Sequence, residues 1–163
     1  MITSAHRSAI RVVYLRLLDC PHSWVVTGSL GMALQGVPVE VHDIDLQTDR
    51  DGAYEIERRL SEYLKQPVHY VISERIRSYL GKLEIDSIQV EIMGALQKRL
   101  EDGSWEEPVD VKCYRRWVEI EAMKIPVVQL EYEQRAYQMI GRVEKAALLR
   151  DWLHKQAPAN DRG

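Results

Sequence analysis

Apolar positions recur along this chain at two spacings, and each change of spacing marks an element. Between residues 4 and 19, Ile10, Val13, Leu17 and Leu18 return at the interval of one helical face, and Ser4 can cap the first turn. Asp19-Cys20-Pro21 ends that helix. Trp24-Val25-Val26-Thr27 is a short continuous apolar run, the pattern of a strand covered on both faces. Gly28-Ser29 closes it, and Leu30, Ala33, Leu34 and Val37 then predict a short helix stopped by Gly36 and Pro38. In Asp43-Ile44-Asp45-Leu46-Gln47 the period becomes two, so Ile44 and Leu46 face a core and Asp43 and Asp45 share the opposite face.

Asp49 or Asp51 caps a following helix, with Ala53, Ile56, Leu60, Tyr63 and Leu64 on its buried face. Pro67 leads into a strand at Val68 to Ile72. Arg75 to Ile85 and Ile88 to Met93 read as antiparallel strands joined at Asp86-Ser87, with Ile88, Val90 and Ile92 on one face and Gln89 and Glu91 on the other. Asp102-Gly103-Ser104 is a turn, and Glu106-Glu107-Pro108 a solvated loop. Short strands at Val118 to Ile120 and Ile125 to Val128 precede two helices, Leu130 to Ile140 and Arg142 to His154, divided by Gly141. Trp105, Trp117 and Trp152 read as packing residues. Strands and helices mix without strict alternation, which predicts an α+β (mixed α/β) fold.

At 163 residues the length suits one domain with a sizeable core, taken as 1–154 with a flexible tail over 155–163. Twenty-two basic residues against 25 acidic ones give a net charge of -3, which argues against a protein living on nucleic-acid backbone contacts. Cys20 and Cys113 lie far apart, in neither a metal-ligand spacing nor a disulfide framework. No apolar run approaches a membrane span, and Arg7, Arg11 and Arg16 interrupt the N-terminal segment, unlike a signal peptide. A cytoplasmic protein without membrane association is expected.

The candidate chemistry lies between Gly28 and Asp45. Backbone N–H groups at a strand-to-helix turn are unpaired and sit at the positive end of a helix dipole, so such a turn receives anions. Gly28 lets a phosphate approach the backbone, and Ser29 adds a hydroxyl. Asp43 and Asp45, about 7 Å apart along one strand face, span the distance over which two carboxylates hold a hard cation such as magnesium. Glu91 offers a third acid from another strand. Alone, the Gly-Ser turn reads first as a helix cap, and the acids read equally as the solvated face of an edge strand.

Together, Gly28-Ser29, the thirteen residues 30–42, and Asp43-x-Asp45 resemble the signature of the nucleotidyltransferase superfamily related to DNA polymerase beta, in its small prokaryotic form. The apolar strand before Gly28, the Leu30-x-x-Ala33-Leu34-x-Gly36 helix and Val90-Glu91-Ile92, at the place of that family's third acid, extend the resemblance. Glu91 stands where many relatives have Asp, and His42 near where many have a basic residue or threonine.

The resemblance implies a mixed sheet flanked by helices, with C-terminal helices. It also implies two Mg2+ ions held by Asp43, Asp45 and Glu91, a nucleoside triphosphate such as ATP as substrate, and nucleoside monophosphate transfer with release of pyrophosphate. Glu91 would receive the acceptor's proton, and Gly28, Ser29 and Lys145 would contact the triphosphate. An ion pair of Lys145 with Glu131, Glu144 or Asp151 is the alternative for that residue. The acceptor stays open among a small hydroxylated molecule, a protein side chain and an RNA end, and homo-oligomers or a partner protein are both open. The competing expectation is an inactive interaction module of the same fold, such as a toxin–antitoxin component.

Overall fold

A computed structural model describes residues 1–157. Its elements are α1 (Ser4–Arg16), β1 (Trp24–Thr27), α2 (Gly28–Leu34), β2 (Ile44–Thr48), α3 (Arg50–Arg59), β3 (Leu64–Ile72), β4 (Ile76–Ile85), β5 (Ile88–Lys98), β6 (Arg115–Ile120), β7 (Met123–Val128), α4 (Leu130–Met139) and α5 (Val143–Gln156). The seven strands form one mixed sheet in the order β3-β4-β5-β2-β1-β7-β6. β1 runs antiparallel to β2 and parallel to β7, while β2 runs parallel to β5. The expected mixed α/β architecture is the one observed.

The period-two reading of β2 holds at the level of packing. Ile44 and Leu46 are fully buried, and join Val90 and Ile92 of β5, Ile125 and Val127 of β7, Ile10 and Val13 of α1, and Ile56 of α3 in the main core. Fully burying aliphatic side chains of this size contributes roughly 1.5–3 kcal/mol each, so this layer fixes the register of the central strands. The opposite face of β2 and β5 is left to polar side chains and to α4. A second apolar cluster, including Met32, Leu130, Tyr137 and Leu149, ties α2 to α4 and α5.

Several boundaries differ from the sequence expectation. α1 is capped by Thr3 rather than Ser4: the Thr3 hydroxyl accepts the His6 N–H at 3.2 Å while the His6 ring receives the Thr3 N–H, a reciprocal box. α3 ends at Arg59, where Ser61–Tyr63 make a 3-10 turn and Leu64 begins β3, so Tyr63 and Leu64 are not on the helix. Asp49 is its cap, accepting the Gly52 N–H. Of the three tryptophans read as packing residues, Trp152 packs on the second cluster and Trp105 has the guanidinium groups of both Arg77 and Arg99 over its ring, but Trp117 is 47% exposed beside Arg115 and Lys124. Of the expected tail at 155–163, Lys155 and Gln156 belong to α5, and residues 158–163 lie outside the described residues.

β5 runs to Lys98, five residues past Met93, because of a bulge. Tyr79 faces Gly94 but Arg77 faces Gln97, so three steps along β5 match two along β4, and Ala95 takes a left-handed backbone (φ 51°). The extra residue reverses which side chains face which side beyond that point.

Candidate active site

Three adjacent strands bring the predicted residues into line. Asp45 on β2 stands opposite Thr27, the last residue of β1, and opposite Glu91 on β5. The Gly28-Ser29 turn, the paired acids and the third acid therefore meet at one locus of the sheet. The two registers follow from burial, because a one-residue slip of β2 would drive Asp43 and Asp45 into the main core.

Gly28 carries a positive φ of 69°, and a Cβ built there would overlap Asp45 Oδ2, with Asp45 Cγ only 3.3 Å away. Backbone and carboxylate thus approach more closely than any side chain at 28 allows. The Ser29 hydroxyl accepts the backbone N–H of His42 at 3.2 Å, and the His42 carbonyl contacts His6 Nε2 at 2.7 Å, so the segment leading into Asp43 is pinned through its main chain.

The Gly28 amide has an internal partner that the sequence did not suggest. Glu133 of α4 accepts the Gly28 N–H at 3.0 Å and the Thr27 hydroxyl at 2.8 and 2.7 Å. Its side chain is buried, and burial pushes its carboxyl up, against hydrogen bonds from Thr27, Gly28 and Tyr137 and the charge of Lys145. Glu133 was missed because its role depends on α4 returning over β1 from 105 residues away. The available signal was an acid on the apolar stripe of a helix, three residues after Leu130 and four before Tyr137.

Asp45 is the electrostatic centre of the site. Burial, followed by the charges of Glu91, Asp43 and Glu133, pushes its carboxyl up from 3.8 to about 7, and Lys145 opposes the shift. Gln89 spans the other two acids, its amide donating to Asp43 Oδ2 at 3.2 Å and to Glu91 Oε1 at 3.1 Å. Lys82 Nζ lies 3.8 Å from Glu91. Lys145 is exposed, with Nζ 5.4 Å from the Tyr137 ring, and among the described residues no ion pair joins it to Glu131, Glu144 or Asp151. Its charge acts on both Asp45 and Glu133.

Among the described residues, no three His, Cys, Asp or Glu side chains are drawn together closely enough to hold a metal as they stand. The donor set nonetheless suits a hard divalent cation: Asp43, Asp45 and Glu91 are all oxygen donors, and burial followed by the charges of its neighbours makes Asp45 reluctant to ionise, a cost that a cation would relieve. Among the described residues no helix is long and apolar enough to cross a membrane.

Comparison with known proteins locates the chain by similarity. Residues 9–152 match the family model described as aminoglycoside-2''-adenylyltransferase. A Thermotoga maritima protein assigned as a nucleotidyltransferase is 56% identical over 96% of this chain and 97% of its own, and its crystal structure superposes with a TM-score of 0.84. Two proteins at 13% identity share the fold. They are the lincosamide antibiotic adenylyltransferase LnuA, solved with lincomycin bound (TM-score 0.59, 91% of this chain and 97% of that one), and ANT(2'')-Ia in complex with adenylyl-2''-tobramycin (TM-score 0.57, 89% and 87%). No curated protein matches the chain by sequence.

Proposed function

The chain belongs to the aminoglycoside-2''-adenylyltransferase family, a small nucleotidyltransferase-fold protein, and from that premise we propose that it is a magnesium-dependent enzyme transferring a nucleoside monophosphate, from ATP in the first instance, to a hydroxyl acceptor. The observation that carries the proposal is the cross-strand line Thr27–Asp45–Glu91, with Gly28 pressed against the Asp45 carboxylate. A merely structural sheet has no use for an acid such as Asp45, set where burial and the charges of neighbouring acids oppose its ionisation.

In this reading Asp43, Asp45 and Glu91 would hold the metal, which when bound neutralises charge on the transferring phosphoryl group. With the Gly28 N–H held by Glu133, the Ser29 hydroxyl, still free to donate its proton, and the Lys145 ammonium would seat the triphosphate. Glu91, at the edge of the acid group, would take the proton of the acceptor hydroxyl. The acceptor oxygen forms a bond to the α-phosphorus, the bond from that phosphorus to the bridging oxygen breaks, and pyrophosphate leaves with the electron pair. Glu133 would hold Thr27 and Gly28 in place beneath the phosphates.

The test is transfer of label from α-labelled nucleoside triphosphates in the presence of magnesium, scored with pyrophosphate release. Wild type is expected to release pyrophosphate in an acceptor-dependent manner. Asp43→Asn with Asp45→Asn is expected to abolish release, and Glu91→Gln to slow it about 10²–10⁴-fold, the usual worth of a positioned base. Unchanged turnover in the double variant would sink the assignment, and no nucleotide binding by wild type would leave the interaction-module reading in its place.

A further inference from the structure

Beside Asp45 and Glu91 opens a cleft of about 190 Å3 whose character changes from one end to the other. The acids stand at the Gly28 end. Toward the other end, the bulge at Ala95 turns Leu96 and Lys98 to the same side as Glu91 and Met93, so β5 leads from a carboxylate directly onto an apolar wall. Ile76 and Ile140 complete that wall.

The order of the strands distinguishes the two ends. The phosphate turn ends β1, Asp45 lies next on β2, and Glu91 lies beyond on β5. In an in-line displacement the attacking and leaving oxygens occupy opposite sides of the phosphorus. With pyrophosphate on the β1 side, an acceptor whose hydroxyl meets Glu91 extends over β5, against Met93 and Leu96.

The charges around that acceptor position decide its class. Among the described residues lining the cleft, the acids are Asp45, Glu91 and Glu133. Asp45 and Glu91 are the proposed metal ligands, and Glu133 is engaged by Thr27 and Gly28. The cations lining the cleft are Lys98 and Arg142, and Lys98, only 2% exposed, is held 2.6 Å from Glu106 and donates to the Tyr132 hydroxyl at 2.8 Å. No lining carboxylate remains to receive an ammonium group, and an unpaired buried ammonium is strongly unfavourable.

We propose that the acceptor is a hydroxylated molecule with an apolar body and no ammonium groups, seated against Met93 and Leu96, and that polycationic aminoglycosides are excluded from this site. The inference rests on the nucleotidyl-transfer reading above. Aminoglycosides would need carboxylates on the acceptor side of the cleft, and this chain places Met93, Leu96 and a paired lysine there.

The test is calorimetric titration of the full chain, first with magnesium and α,β-methylene-ATP, then with two probes. n-Octyl β-D-glucoside below its micelle concentration carries neutral hydroxyls on an apolar body, and tobramycin carries hydroxyls on a polycation. Octyl glucoside is expected to bind the nucleotide-loaded protein and tobramycin not to bind. Met93→Glu, at a half-buried position, is expected to weaken octyl glucoside roughly tenfold. Should that variant fail to fold, raising the salt concentration with wild type replaces it, since binding of a neutral probe is insensitive to screening and binding of a polycation is not. Tobramycin binding, absence of octyl glucoside binding, no effect of Met93→Glu in a folded variant, or strong salt dependence of octyl glucoside binding each overturns the acceptor assignment. Loss of the nucleotide signal in the first titration removes the transferase reading itself.

Discussion

Gly28 is the residue at which backbone geometry and charge meet most tightly. Its φ of 69° lies where L side chains are strained, and any Cβ would collide with the Asp45 carboxylate. Gly28→Ala is therefore expected to destabilise the fold by about 1–3 kcal/mol and to displace Asp45, with activity falling further than stability; chemical denaturation beside a turnover assay separates the two. Asp45 itself supplies a pH dependence. Its folded carboxyl titrates at about 7 against an ordinary 3.8, so between those values the folded state holds more protons than the unfolded state, and stability falls as pH rises. In EDTA, unfolding free energy is expected to drop from pH 5 to pH 8, with a shallower drop in Asp45→Asn; equal slopes would refute the burial of an ionisable Asp45. The faces of Asp43, Asp45 and Glu91 were legible in the sequence because strand alternation fixes them from apolar neighbours alone. Glu133 was not, since its partners lie in a remote part of the chain, and of Gln89 only the shared face with Glu91 was legible, not the bond to Asp43 across the sheet.

At the scale of elements, the Asp86-Ser87 hairpin turn was legible as a position but not as a conformation, and the Glu121-Ala122 turn was legible as neither. Asp86-Ser87 and Glu121-Ala122 each hold two consecutive left-handed residues without a glycine, the backbone of a two-residue turn that matches strand twist. Ser8 reaches Asp86, and Arg11 pairs with Glu121 at 2.8 Å, so both turns are fastened to α1. Ala122 is exposed at φ 64°, and Ala122→Gly is expected to stabilise the protein by about 0.5–1 kcal/mol, the relief of left-handed strain less the added freedom of the unfolded chain. Thermal or denaturant unfolding checks this. The bulge at Ala95 had one signal in the sequence, the isolated Gly94 just before it, but a single glycine does not say which residue is the extra one or where the strand resumes. It nonetheless decides that Leu96 and Lys98, rather than Ala95 and Gln97, line the cleft.

For the molecule as a whole, the order β5-β2-β1 at the centre of the sheet does the assembling, because it sets the third acid, the paired acids and the phosphate turn side by side. The mixed fold could be read from the alternation of spacings, but the strand order could not, since β2 pairs in parallel with a strand that arrives only after β3 and β4 have been laid down. That non-local pairing places one buried core on the Ile44 and Leu46 face and an acid cluster on the other. The most direct test of that cluster is a titration with Mn2+, followed by electron paramagnetic resonance in the presence of α,β-methylene-ATP. Wild type is expected to bind Mn2+, and Asp43→Asn with Asp45→Asn to lose that binding while keeping its circular dichroism; equal binding in both, or none in wild type, would contradict a metal site built on Asp43, Asp45 and Glu91.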